Sequence, residues 1–193
     1  MKAIIFDCFG VLLGTIYGEQ LSTLEQRSPD LAQQLRDVHR ALDHGLLTRE
    51  EALAHMAQIL DTTPEELAKE EDRSEVRNVP LIDFIRTLKP RYKLAMLSNV
   101  SGRDRLDSLF LPGELDELFE VVVASGDEGT AKPEAGIYQL AAERLGVAPE
   151  DCLMVDDIRG FCDGAENVGM QAIQFITTSQ TIDDIKLLID RDK

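Results

Sequence analysis

Five short apolar runs punctuate the chain: Ala3 to Phe6, Lys93 to Leu97, Val121 to Ala124, Cys152 to Val155 and Ala172 to Ile176. Each is bounded by charge or by turn-forming residues, and three are rich in Ile or Val, a pattern that predicts buried strands. The segments between them repeat with a helical period. In "EAGIYQLAAERLGV", Ile137, Leu140, Ala141 and Leu145 share one face and Gly146 supplies a C-terminal cap. "DIRGFCDGAENVGM" predicts a helix ending before Gly169, and "TIDDIKLLIDR" a terminal one. Strands alternating with helices make βα units, so the expected fold class is α/β, with a parallel sheet covered on both faces.

One interval breaks this rhythm. More than eighty residues separate the first two strands, far more than a crossover helix needs. The pattern there is helical throughout. "SPDLAQQLRDVHRAL" opens on Ser-Pro-Asp and carries Leu31, Leu35, Val38 and Leu42 at helical spacing. "TREEALAHMAQIL" begins with a capping box, Thr48 and Glu51, and "TPEELAKEE" places Pro64 at the first helical position after Thr63. Residues 14–79 therefore read as an all-helical cap inserted into a core made of 1–13 and 80–193. Residues 80–90 are the expected first crossover helix.

Composition narrows the function classes. The 193 residues include 36 acidic and 20 basic side chains, a formal net charge of -16. Nucleic acid and anionic membrane both need clustered Lys and Arg, so neither is an expected partner. No apolar run approaches the length of a membrane span, and "MKAIIFD" lacks a signal-peptide core. Cys8, Cys152 and Cys162 form no CxxC pair, which fits the reduced thiols of a cytoplasmic protein. No feature specifies an oligomeric state.

In an open parallel sheet, ligands bind beyond the carboxyl ends of the strands. Asp7 follows the first expected strand and Ser98 and Asn99 the second; Lys132 lies in the loop after the third, "SGDEGTAKPE"; Asp156 and Asp157 follow the fourth. Three carboxylates gathered in one crevice repel one another and call for a cation. Oxygen donors of this kind suit Mg²⁺ together with a substrate phosphate. Ser98 offers a hydroxyl and a backbone N–H, Lys132 offers positive charge, and Asp7 is left as a carboxylate nucleophile that forms an acyl phosphate.

The ordered set "FDxxGVL", a helical insertion, "LSN", "AKPE-x-x-IY" and "VDD" resembles the haloacid dehalogenase superfamily of hydrolases, over nearly the whole chain. The resemblance implies a Rossmann-like core of strand order 3-2-1-4-5 and a helical cap that closes over the site and selects the substrate. It implies Asp7 as nucleophile, and Ser98 and Lys132 on the transferring group. It also implies Mg²⁺ held by Asp7, Asp156, Asp157 and the backbone carbonyl of Phe9. The expected substrate is a small phosphorylated metabolite, with Ser98, Asn99 and Lys132 as its contacts.

Phe9 departs from the pattern. Most phosphatases of the superfamily carry Asp two positions after the nucleophile, where it serves as general acid and base. An aromatic residue here resembles the haloacid dehalogenases, as does Asn99 after Ser98, and Arg27, Arg36 and Arg40 are available for a haloacid carboxylate. A small helical cap and a paired-acid fourth motif resemble instead the phosphatase branch, similar to sugar-1-phosphate phosphatases, that lacks the second Asp. Paired acids at the mouth of the site disfavour a haloacid, so phosphatase chemistry is the leading reading. Dehalogenation and a non-catalytic metal- or ligand-binding protein are the alternatives. Elsewhere, His39, His44 and His55 read as packing or surface residues, Tyr17 as a candidate for the cap entrance, and Asp127, Glu128, Arg159 and Asp163 as surface or turn residues.

Overall fold

The computed structural model describes residues 1–191. The chain runs β1 (Ala3–Phe6), α1 (Tyr17–Arg27), α2 (Pro29–Asp43), α3 (Arg49–Leu60), α4 (Pro64–Ser74), α5 (Val79–Leu88) and β2 (Lys93–Ser98). It continues through α6 (Arg103–Leu109), α7 (Glu114–Leu118), β3 (Val121–Ala124), α8 (Ser125–Glu128) and α9 (Ala135–Leu145). It ends with β4 (Cys152–Asp156), α10 (Arg159–Asn167), β5 (Gln171–Gln174) and α11 (Thr178–Arg191).

All four residues of β1 are buried, Ile4 and Phe6 in one apolar cluster and Ala3 and Ile5 in another on the opposite face. Such a strand must be central, with both faces covered. β1 pairs in parallel with β2 and β4, β3 lies outside β2, and β5 lies outside β4. The sheet order β3-β2-β1-β4-β5 is the one expected. Helices α5, α6, α7 and α11 cover the Ile4 and Phe6 face, while α9 and α10 cover the other. Phe6 is in register with Met96 and with Val155, so the carboxyl ends of β2, β1 and β4 finish side by side.

Several boundaries differ from the sequence reading, with β2 and β4 each running one residue further, to Ser98 and Asp156. β5 begins one residue early and stops at Gln174, whereas Ala172 to Ile176 was expected. At this sheet edge Phe175 donates a last bond to Asp156 O (2.9 Å), and Ile176 turns out to solvent. The crossover helix starts at Val79 because Asn78 caps it, accepting from Leu81 N (3.4 Å). The loop "SGDEGTAKPE" opens with the single helical turn α8. α6 and α7, seven and five residues long, lie where the sequence pattern predicted no helix, too short to register a period.

Between β1 and α5, α1 to α4 surround an apolar cluster of their own: Leu24, Ala32, Leu35, Ala52, Leu53, Met56, Ala57 and Leu67. The local signals act as read. Ser28 accepts from Leu31 N, and Thr48 with Glu51 and Thr63 with Glu66 form reciprocal capping boxes. The outgoing and returning strands of chain meet at a neck, where Gly14 N donates to Val76 O (3.0 Å). A β-carbon on Gly14 would lie 2.1 Å from Ser74 O, a backbone atom that cannot yield, so only glycine allows the two strands to pass this closely. No helix among the described residues is long and apolar enough to cross a membrane.

Leu35 is fully buried in the small helical cluster. Leu35→Ala is expected to cost about 2–4 kcal/mol, read from denaturant unfolding. A change under about 0.5 kcal/mol would mean that the cluster is not a packed core.

Candidate active site

Asp7 is the first residue beyond β1. Its N–H donates to Val155 O (2.9 Å), which extends the ladder by one step and holds the backbone rigid at that point. Its Oδ1 accepts from Cys8 N (2.7 Å). The chain then tightens: Leu12 N and Leu13 N both donate to Cys8 O, and Gly10 adopts a φ of 86° that favours glycine. A β-carbon on Gly10 would sit 2.3 Å from Asp157 Oδ2, so the bare glycine is what leaves room for the Asp157 carboxylate.

Asp156 closes β4 and is fully buried. Its Oδ1 accepts from Ile158 N (2.9 Å), and its Oδ2 accepts from Lys132 Nζ (2.6 Å). The same ammonium lies 2.8 Å from Asp7 Oδ1. Lys132 thus bridges the ends of two adjacent strands while itself almost wholly buried, with its Nζ 5.0 Å from the centre of the Phe161 ring. Asp7, Asp156 and Asp157 offer oxygens that all lie within 4.8 Å of one another. Ser98, the last residue of β2, is buried, and its Oγ has no hydrogen-bond partner; nor does Asp157 Oδ1. Buried polar atoms are seldom left so; Ser98 closes the strand next to β1, and Asp157 lines the same cavity as Asp7.

The electrostatics follow from three acids and one cation out of water. Burial, with Asp156 and Asp157 adding repulsion, raises Asp7 to about 8 against the opposing pull of Lys132. Burial works against the Lys132 charge as well, but Asp156 and Asp7 outweigh it and hold the ammonium above its ordinary range. Burial and the adjacent Asp156 push Asp157 up to about 6. The crevice therefore carries an excess of negative charge that a divalent cation would offset. Three clustered oxygen donors, one of them unpartnered, fit a hard ion such as Mg²⁺.

Asn99, expected as a substrate contact, is hydrogen-bonded within the protein. Its Oδ1 accepts from Lys132 N (2.9 Å), and its Nδ2 donates to Lys132 O (3.0 Å) and to Asp43 Oδ2 (3.2 Å). The amide grips both sides of the Lys132 peptide and so fixes the base of the lysine side chain. Phe9 is partly buried, packs on the larger core cluster and lines the cavity above the site. That cavity, about 940 Å³, lies between the strand ends and the inserted helices.

The sequence reading missed part of its wall. His39, expected as a packing or surface residue, and Asp43 of α2 line it, beside the Arg36 and Arg40 already considered for a carboxylate. The signal was present: positions 36, 39, 40 and 43 form a polar stripe at helical spacing beside the apolar stripe of Leu31, Leu35, Val38 and Leu42. Tyr17 also lines the cavity, its ring centre 4.1 Å from that of His39. His44 reaches the core, bonding Glu134 Oε1 through Nε2 (2.7 Å) and Arg40 O through Nδ1 (2.8 Å). His39 Nε2 is buried without a partner, and burial lowers that imidazole to about 4. Of the arginines considered for a carboxylate, Arg36 and Arg40 line the cavity, while Arg36 also pairs with Glu25. Arg159 is exposed and pairs with Asp163 and Glu166, and Asp127 caps α6 by accepting from Arg103 N (2.8 Å). All three cysteines are free and buried.

Comparison with known proteins agrees with the motif order. The sequence model of the haloacid dehalogenase-like hydrolases matches residues 1–169. A phosphorylated carbohydrates phosphatase of Thermotoga maritima is 28% identical over 202 aligned residues, covering 98% of this chain and 91% of that protein. The phosphatase MT3486 of Mycobacterium tuberculosis is 38% identical over 93 residues, spanning 48% of this chain and only 43% of that relative. Among solved structures, a HAD-like family hydrolase from Porphyromonas gingivalis superimposes with a TM-score of 0.75 at 24% identity, covering 98% of each chain. With the sheet order already established, the family match over most of the length leads to one conclusion: the chain belongs to the haloacid dehalogenase-like hydrolases.

Proposed function

We propose that this hydrolase is a Mg²⁺-dependent phosphomonoesterase acting on a small phosphorylated metabolite through an aspartyl phosphate at Asp7, with residues 14–79 as the cap over the site. The observation that carries the reading is the Lys132 ammonium, 2.8 Å from Asp7 and 2.6 Å from Asp156, with an unpartnered Ser98 hydroxyl at the end of the neighbouring strand. Relatives named as phosphatases, including those acting on phosphorylated carbohydrates and on glyceraldehyde 3-phosphate, support it.

In this reading Asp7 attacks phosphorus, Ser98 donates its hydroxyl to a phosphoryl oxygen, and Lys132 stabilises the charge that gathers there. Asn99 acts by holding the Lys132 peptide rather than by touching substrate. Asp7, Asp156, Asp157 and the Phe9 carbonyl would hold the Mg²⁺, which supplies positive charge to the phosphoryl group when bound. The dehalogenase reading draws on Phe9, but Asp156 and Asp157 set negative charge where a haloacid would bring a carboxylate.

Two measurements test this. Phosphate release from a panel of phosphomonoesters should require Mg²⁺ and fall at least about 10³-fold in Asp7→Asn. Halide release from 2-haloacids without metal would favour dehalogenation instead. The second test reads stability. The Asp7 carboxyl is raised in the folded chain, so its contribution is present below the ordinary carboxylate range and is lost as pH rises through about 8. Asp7→Asn should therefore raise the Tm of the metal-free protein by a few degrees at pH 8.5 and by much less at pH 5. Mg²⁺ should raise the Tm of the unsubstituted chain at the higher pH more than that of the variant. A Tm difference indifferent to pH would refute the charge excess at this site.

A further inference from the structure

We propose that Asp43 of α2 is the general acid–base of this reaction, supplying from the inserted helices the carboxyl group that Phe9 denies to the core. The inference rests on the phosphatase reading above and adds to it a residue on the opposite wall of the cavity.

In an in-line displacement the leaving oxygen departs on the side of phosphorus opposite the attacking atom. Asp7 attacks from the strand ends, so the leaving group faces the inserted helices, and a proton donor must come from there or from Phe9. A phenyl ring has no proton to give.

Most groups lining that wall are already committed. Glu71 is paired with Arg49 (2.9 Å), Glu75 with Arg105, and Glu134 with His44 and Thr130. Glu19 is solvent-exposed. His44 uses both ring nitrogens, one on Glu134 and one on Arg40 O. Burial keeps His39 neutral near pH 7 and pushes the Tyr17 phenol further up. Asp43 is left. It is partly buried, lines the same cavity as Asp7, and forms no ion pair among the described residues.

Asp43 is also anchored with respect to the nucleophile. Its Oδ2 accepts from Asn99 Nδ2, whose other proton goes to Lys132 O, and Lys132 carries its ammonium to Asp7. The end of its helix is held against the core by the His44–Glu134 pair and by Gly45, where a β-carbon would lie 2.4 Å from Gly126 O. The groups that face Asp43 are Asn99, Lys132, His44 and Tyr17. Burial raises its carboxyl to about 6, with the Asn99 bond and the Lys132 and His44 charges opposing, a range suited to giving and taking a proton near neutrality.

The steps balance. Asp7 Oδ forms a bond to phosphorus as the ester P–O bond breaks, and the departing oxygen takes the proton of the Asp43 carboxyl. Water then adds to phosphorus from the vacated side and gives its proton to the Asp43 carboxylate. The Asp7–phosphorus bond breaks, releasing inorganic phosphate and restoring both carboxyl groups.

The test measures kcat/KM with Mg²⁺ on glycerol 2-phosphate, whose alkoxide needs a proton, and on 4-nitrophenyl phosphate, whose phenolate does not. Asp43→Asn keeps an oxygen to accept from Asn99, so Lys132 stays in place. The variant should lose about 10²- to 10⁴-fold on the alkyl ester and less than about tenfold on the aryl ester. The aryl rate also reports that the variant is folded. Adding Phe9→Asp to Asp43→Asn should restore the alkyl rate at least about tenfold, since a carboxyl returns on the core side. Equal losses on the two esters would make Asp43 a positioning residue for Asn99 and overturn the proposal, as would an unchanged alkyl rate. If the unsubstituted protein releases phosphate from neither ester, the phosphatase reading itself fails. If phosphate release depends on Asp7 and is indifferent to Asp43→Asn, that reading stands and only this inference falls.

Discussion

Lys132 holds an ammonium group inside the protein, between two carboxylates that belong to neighbouring strands. A buried charge of either sign is costly unless it is paired and hydrogen-bonded, and breaking such a pair leaves the remaining charge stranded. Asp7, Asp156 and Lys132 are therefore mutually dependent, and much of the surrounding structure fixes their positions. β1 and β4 must be adjacent and in register so that Asp7 and Asp156 end at one level. The loop after α8 must bring Lys132 to the junction, and Asn99 holds both sides of its peptide from the end of β2.

The pairing is incomplete, and that shortfall leaves the crevice with unbalanced charge. One ammonium faces three carboxylates, with the hydroxyl of Ser98 and one oxygen of Asp157 unpartnered. A fold selected for stability alone would not leave buried polar atoms in this condition. The glycine at position 10 is part of the same arrangement, because any side chain there would displace the Asp157 carboxylate. Stability is given up at this crevice, and the proposed cation and phosphoryl group would supply the missing partners.

The helical insertion adds a second wall whose chemistry is independent of the core. α2 has two faces: Leu35 and its neighbours bury into the small cluster, while Arg36, His39, Arg40 and Asp43 look into the cavity. The insertion is tied to the core at its Gly14 neck and at the end of α2, where His44 meets Glu134 and Asp43 meets Asn99. Residues far apart in sequence thereby enclose one space between the strand ends and the helices.

The sequence alone determined the sheet and the polar residues that gather at its strand ends. Apolar runs buried on both faces carry their own signal, and alternation with helices fixes parallel pairing and the location of polar residues at the strand ends. Asp7, Ser98, Lys132, Asp156 and Asp157 were legible for that reason: each lies at or just beyond a strand, or in the loop that follows one. The capping boxes of α3 and α4 were legible because they are local, closed within four residues. Tertiary structure alone decided which polar atoms were used up and which remained available. Asn99, expected as a substrate contact, has its amide engaged by Lys132 and Asp43, which no sequence pattern announces. His39, His44 and Asp43 could not be assigned to the cavity, because a helix face has no direction until it is packed against something. Hydrophobic period is a property of neighbours in the chain, whereas hydrogen-bond satisfaction is a property of neighbours in space, and the chemistry of this crevice depends on the second.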